Sequence, residues 1–135
     1  MEGTAKVILL DTHALIWLAS EPRRLSNKAA ETIRKSTHEG GIAISAITLW
    51  ELAWLATHGR IVTGGTAEAF VDRITSRTAI LPITPKVAVL ANQLPPTYPG
   101  DPCDRLIGAT AIAEGIALIT KDKRIRNCRQ IQTIW

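Results

Sequence analysis

Four acidic residues carry the chemistry that this sequence offers: Asp11, Glu51, Asp104 and Asp122. Asp11 directly follows the apolar run KVILL (residues 6–10), and Asp122 lies two residues after IALIT (residues 116–120). Asp104 falls near the start of the segment leading into IALIT, and Glu51 sits inside ITLWELAWLA, where nearly every neighbour is apolar. A carboxylate in such surroundings needs a partner or it becomes protonated. No lysine or arginine lies at helical spacing from Glu51. Carboxylates about 5 Å apart repel by roughly 3 kcal/mol at an effective dielectric of ~20, so a convergent set calls for a cation. Oxygen ligands favour Mg2+ or Mn2+ over zinc, and His13, His38 and His58 show no zinc-ligand spacing. Metals held by carboxylates at a phosphodiester activate water and neutralise the scissile phosphate, and one acid can take the proton from the attacking water.

Each acid also has a plain structural reading. Asp11 suits the N-cap of a helix starting at Thr12, and Asp122 in TKDKR suits a solvated turn. Asp101 and Asp104 form a capping pair around Pro102, and N-capping is the better account of Asp101. Glu51 is the hardest to explain this way, because its helix is apolar around most of its circumference and is expected to be largely buried.

Other chemistries find no residues to perform them. The sequence has neither G-x-x-x-x-G-K-[ST] nor G-x-G-x-x-G. Thr12, Ser45, Thr48 and Thr120 have no evident histidine partner for nucleophilic catalysis. A phospho-receiver would need an acid ending its third strand, where AILPITP has none, and a haloacid-dehalogenase-type phosphatase would need Asp where His13 stands.

The 135 residues fit one domain, with 46% hydrophobic residues to build a core. Sixteen lysines and arginines against twelve acids give a net charge of +4, a mild excess that suits a polyanion such as RNA. The excess gathers late, at Lys121, Lys123, Arg124, Arg126 and Arg129, with Arg105 beside Asp104. Two cysteines make no disulfide framework, so a reducing cytoplasm is the expected home. MEGTAKVILLD has too short an apolar run for a signal peptide, and no segment approaches the ~20 apolar residues that span a bilayer.

The acids need a frame. Runs apolar on both faces at residues 6–10, 42–45, 79–83, 116–120 and 131–134 read as strands of a covered parallel sheet, with Pro82 marking an edge or an end. Helical patterns at residues 12–19, 26–36, 46–58, 66–77, 85–93 and 101–114 alternate with them. The expected fold is a three-layer α/β/α arrangement around a parallel sheet of four to five strands. Ligands of such folds sit beyond the carboxyl ends of the strands, where these acids fall.

LLDTHALIWL, SAITLWELAWLATHGRI and GDPCDRLIGATAIAEGIALITKD, with the wide spacing between them, resemble a PIN-domain protein. More narrowly, they resemble the VapC-type toxins of toxin–antitoxin pairs. The likeness runs from Val7 to Asp122, and between Gly64 and Pro95 it holds only in length and helical character. It implies that Asp11, Glu51, Asp104 and Asp122 are catalytic, with Asp11, Asp104 and Asp122 as metal ligands. It implies supporting roles for Thr12, Ser45, Thr48 and Thr120 around them. It further implies an Mg2+- or Mn2+-dependent endoribonuclease acting on tRNA or rRNA, a homodimer, and a small antitoxin that covers the active-site groove. Arg105, Lys121, Lys123 and Arg124 are the expected RNA contacts. Cys103 stands where the family often has an aromatic residue and is read as packing. A PIN-fold nuclease of RNA maturation or decay, a non-catalytic binding module and DNA cleavage stay open as alternatives. Around residues 46–58, Trp50 and Trp54 are either core or the face that a partner covers.

Overall fold

In the computed structural model, which describes residues 6–135, a parallel five-stranded sheet is covered on both faces by helices. The N-terminal residues read above as no leader lie partly outside these. The strands are β1 (Ile8–Leu10), β2 (Ile42–Ser45), β3 (Thr78–Leu81), β4 (Ala117–Ile119) and β5 (Thr133–Ile134), arranged in the order β3-β2-β1-β4-β5. Successive side chains of β1 point to opposite faces. Ile8 and Leu10 join one core with Ile42, Ile44, Ala117 and Ile119, while Leu9, Ala43 and Leu118 join the other. Both faces being buried explains why these strands are apolar throughout rather than alternating.

Helices α1 (Thr12–Ser20), α2 (Asn27–His38), α3 (Ala46–Thr57) and α4 (Ala67–Thr75) contribute to the first core, with a short 3-10 turn at Pro22–Arg24 after α1. Helix α6 (Pro102–Glu114) and the four-residue α7 (Lys123–Arg126) supply the second core, and α5 (Pro85–Gln93) packs on α6. All six expected helices form within two residues of their expected ends, and α7 forms where a turn is expected. Polar caps set the starts: Ser26, Thr66 and Thr84 accept from backbone amides three residues on. Gly115 ends α6 at φ 65°, a left-handed position that favours glycine.

The expectation that α3 is largely buried needs correction. Only Thr48 and Leu52 are buried, and Trp50 and Trp54 are 58% and 36% exposed. The helix turns one stripe to the sheet, and Leu49 and Ala53 line an open groove against α4 and β3. Neither tryptophan is core.

The strand order reverses between β1 and β4. From β1 the chain steps outward to β2 and β3, then returns to lay β4 on the other side. In open α/β sheets this crevice, at the carboxyl ends of the strands, is where ligands bind. Leu10 pairs with Ile119 there, so the residues following β1 and β4 emerge side by side.

A close approach holds α6 in place. Tyr98 is buried, and its hydroxyl donates to the Asp104 carbonyl at 2.7 Å. A Cβ on Gly108, one turn further along α6, would stand 2.3 Å from the Tyr98 hydroxyl and 2.9 Å from Ile131 Cδ1. Gly108→Ala would gain about 1 kcal/mol of helix propensity. It would lose about 1–3 kcal/mol to overpacking and about 1 kcal/mol more if the Tyr98 bond breaks. We expect net destabilisation of about 1–3 kcal/mol in urea unfolding; a stabilised variant would show that this contact yields freely.

Candidate functional site

Asp11 is the best-held of the four acids. It follows β1, is 4% exposed, and caps α1 by accepting the Thr12 amide on Oδ1 at 2.8 Å. Its Oδ2 accepts the Thr120 hydroxyl at 2.7 Å and stands 3.4 Å from His13 Nδ1. Thr120, fully buried beyond β4, also accepts the Asp122 amide at 3.2 Å. One hydroxyl therefore ties the carboxyl ends of β1 and β4 together. Asp122 is half-buried and caps α7, its Oδ1 accepting from the Arg124 and Ile125 amides. The capping reading of Asp11 holds, whereas Asp122, read as a solvated turn residue, proves to cap a helix; each caps through Oδ1 alone.

Glu51 reaches the same end of the sheet from α3. Ser45, buried at the end of β2, caps α3 through the Ile47 amide. Glu51 Oε1 accepts the Thr12 hydroxyl at 2.5 Å, and Thr12 lies 3.0 Å from the Thr48 hydroxyl. With Glu51 ionised, Thr12 has one proton to give, so Thr48 must donate to Thr12. Burial pushes the Glu51 carboxyl above its ordinary range; the Thr12 bond opposes this, and the charges of Asp11 and Asp101 add to it.

Asp104 arrives from the first turn of α6. Only its backbone is engaged among the described residues, the amide with Asp101 and the carbonyl with Tyr98. Burial first, then the charges of Asp11, Asp101, Glu51 and Asp122, push its carboxyl up to about 7. The four acids thus share one electrostatic environment. No lysine or arginine pairs with Asp11, Glu51 or Asp104 among the described residues. No three of the described acidic, imidazole or thiol groups stand close enough as they are to share one ion. The donor chemistry nevertheless fits a hard divalent cation: oxygen ligands, uncompensated charge and a free Asp104 carboxyl group.

Asp101 is exposed and caps α6 through the Cys103 and Asp104 amides, as its sequence context suggested. Burial raises the Cys103 thiol to about 12, so it stays protonated and is no nucleophile. The Arg105 guanidinium donates to the Ala91, Leu94 and Pro95 carbonyls and so holds the end of α5. Lys121, Lys123 and Arg124 are exposed around Asp122. His13 was missed by reading the histidines only for zinc spacing. Its Nε2 accepts the Lys121 amide at 3.1 Å, which leaves the ring proton on Nδ1, facing Asp11. Its place two residues after Asp11 was the available signal.

With this geometry in view, likeness to known proteins gains meaning. The PIN domain family model matches residues 8–130. Ribonuclease VapC22 of Mycobacterium tuberculosis is 42% identical over 130 residues, spanning 95% of this chain and 98% of that protein. The fold matches VapBC2 from Rickettsia felis, solved bound to a DNA fragment from its promoter, at a TM-score of 0.74 and 19% identity, covering 94% of this chain and 96% of that one. DNA-bound VapBC from Salmonella typhimurium matches at 0.73 and 22% identity, covering 96% and 97%. The chain belongs to the PIN-domain family and, within it, to the VapC ribonucleases.

The raised Asp104 carboxyl sets a pH dependence of stability without metal. It binds its proton more tightly folded than unfolded, so its cost to folding is absent below about pH 4, grows as pH rises, and is complete above about 7. Asp104→Asn removes that cost, about 1–2 kcal/mol once solvent screening of a half-exposed group is counted. In EDTA, its stability advantage over wild type should widen from pH 5 to pH 8. His13, held below its ordinary value mainly by burial, titrates in both proteins and largely cancels from the difference. Asp101→Asn keeps a good N-cap and serves as the control. Loss of stability in Asp104→Asn at every pH would mean that this carboxylate is structural.

Proposed function

We propose that the chain is an Mg2+- or Mn2+-dependent endoribonuclease, the toxin of a toxin–antitoxin pair, with Asp11, Glu51, Asp104 and Asp122 as its catalytic acids. The observation that carries this is the Asp104 carboxyl, pushed up to about 7 by burial and by the charges of its acidic neighbours, in a set where Asp11, Glu51 and Asp104 pair with no lysine or arginine among the described residues. Asp11, Asp104 and Asp122 would hold the ion. A bound divalent cation supplies charge neutralisation at the scissile phosphate and acidifies water. Glu51, on the Thr12 hydroxyl and with a raised proton affinity, is placed to take the proton from that water. Asp11, fixed by Thr12 and Thr120, orients the set. Lys121, Lys123 and Arg124 draw in the phosphate backbone. A tRNA or rRNA is the substrate class we expect.

The partner follows from α3. Structures sharing this fold include VapBC complexes, and here exposed Trp50 adjoins in sequence Leu49, which with Ala53, Val71 and Ile80 forms the apolar part of a groove that Glu68 and Asp72 also line. Trp54 is partly covered, stacked on His58 with Arg60 nearby. We assign this face to the antitoxin, and the toxin to a homodimer in the cytoplasm. Cys103 and Cys128 are both free thiols. Among the described residues, no helix is long and apolar enough to cross a membrane.

Cleavage of RNA should require added Mg2+ or Mn2+ and stop with EDTA. Asp11→Asn, Glu51→Gln, Asp104→Asn and Asp122→Asn should each lower it at least about a hundredfold while keeping the wild-type circular dichroism. Undiminished cleavage by metal-stripped protein would sink the mechanism. Trp50→Ala should weaken antitoxin binding in calorimetry without changing RNA cleavage; unchanged affinity would move the partner elsewhere.

A further inference from the structure

A second cavity lies outside the acidic centre. It measures about 410 Å3, within the ~300–1,000 Å3 range of small-molecule sites, and is lined by Lys28, Lys123, Arg126, Asn127, Thr133 and Trp135. Three of these are cations, two are neutral hydrogen-bonding residues, one is aromatic, and none has an acidic side chain. Lys28, Lys123 and Arg126 form no ion pair among the described residues. The residues come from α2, α7, the residue after α7 and the chain end, so the fold assembles the cavity from distant parts of the sequence.

The cavity connects to the acids through aromatic rings. Trp135 lies edge-on to Trp17 at 5.9 Å and to His13 at 6.3 Å, and His13 Nδ1 stands 3.4 Å from Asp11. Arg24 and Lys121 lie over Trp17 at 4.2 and 5.7 Å. Lys123, which lines the cavity, directly follows Asp122. Cations next to an aromatic ring match a nucleotide, whose phosphate takes the charge and whose base takes the ring. An acidic peptide would use only the cations.

We propose that this cavity is an RNA subsite: it holds a nucleotide flanking the scissile phosphate, with Lys28 and Arg126 on its phosphate and Trp135 against its base. The assignment rests on the ribonuclease reading above. It extends that reading from the residues beside Asp122 to a defined pocket, and it gives a stacking role to a residue outside the acidic motif.

The test uses the full chain and a short fluorescein-labelled single-stranded oligoribonucleotide. Binding is read by anisotropy in EDTA and cleavage with Mg2+, for wild type, Lys28→Ala combined with Arg126→Ala, Trp135→Phe, Trp135→Leu, and Lys86→Ala as a cation outside the cavity. The double variant should bind about tenfold more weakly, and its KM should rise similarly while kcat stays within twofold. The slope of log K against log salt should shrink by about 1.4, at ~0.7 per lost contact on a single strand. Trp135→Phe should bind like wild type and Trp135→Leu about tenfold more weakly; melting temperatures identify any variant that merely unfolds. If wild type cleaves and the double variant matches it in affinity, slope and KM, the subsite is wrong and the nuclease reading stands. If wild type neither binds nor cleaves, both fall. If the double variant binds RNA normally but loses affinity for an octaglutamate peptide, the cavity belongs to a protein partner and the proposal is overturned.

Discussion

Like charge gathered at Asp11, Glu51 and Asp104, with no lysine or arginine paired to them among the described residues, is the constraint around which this structure is arranged. Asp11, Glu51 and Asp104 meet at the carboxyl end of the sheet, and burial together with mutual repulsion lifts Asp104 to about 7 and raises Glu51. A pair of carboxylates ~5 Å apart costs roughly 3 kcal/mol at an effective dielectric of ~20. A domain has only about 5–15 kcal/mol of net stability to set against such terms. The arrangement survives because its supports are rigid. Leu9, Leu10, Leu118 and Ile119 are fully buried, and the amide of Asp11 itself extends the strand pairing by donating to the Ile119 carbonyl at 3.0 Å.

Neutral donors perform the positioning. Thr12, Thr48 and Thr120 are buried, and their hydroxyls hold Glu51 and Asp11 without cancelling their charge. A guanidinium in the same place would pair bidentately and remove the attraction for a cation. Arg105 makes the contrast concrete. It directly follows Asp104, yet its Nη1 and Nη2 donate to three carbonyls at the end of α5. There it stabilises helix packing and leaves the neighbouring carboxylate unpaired.

What could be read in the sequence follows from which interactions are local. The central strands β1, β2 and β4 were legible because burial on both faces demands an unbroken apolar run, and Asp11 and Asp101 were legible as caps because capping acts within three residues. Long-range partnerships were not. Thr120 was expected beside Asp122, and it does accept that amide, but its proton goes to Asp11, 109 residues away. His13 escaped because its partners, the Asp11 carboxylate and the Lys121 amide, follow two different strands. The burial of α3 was misread for a related reason: composition records how apolar a helix is, but not whether each apolar residue finds a neighbour. The KRIR stretch was too short and too charged to suggest a helix. It forms with an Asp122 cap at its start and Ile125 in the core beneath it.

Helix α3 borders both surfaces that the proposed function uses. Its inner side presents Thr48 and Glu51 to Thr12, and the adjacent residue Trp50 stands in solvent. A protein that covers Trp50 would therefore be seated one residue along the chain from Glu51. The approach on the other flank differs in kind. There Lys121, Lys123 and Arg124 surround Asp122, so a polyanion is attracted by charge, whereas an apolar partner is attracted by burial. These forces respond oppositely to salt: screening weakens the charged flank and leaves apolar burial largely intact. Under the proposed assignment the RNA contact and the antitoxin contact rest on different physics, so added salt should loosen the first more than the second.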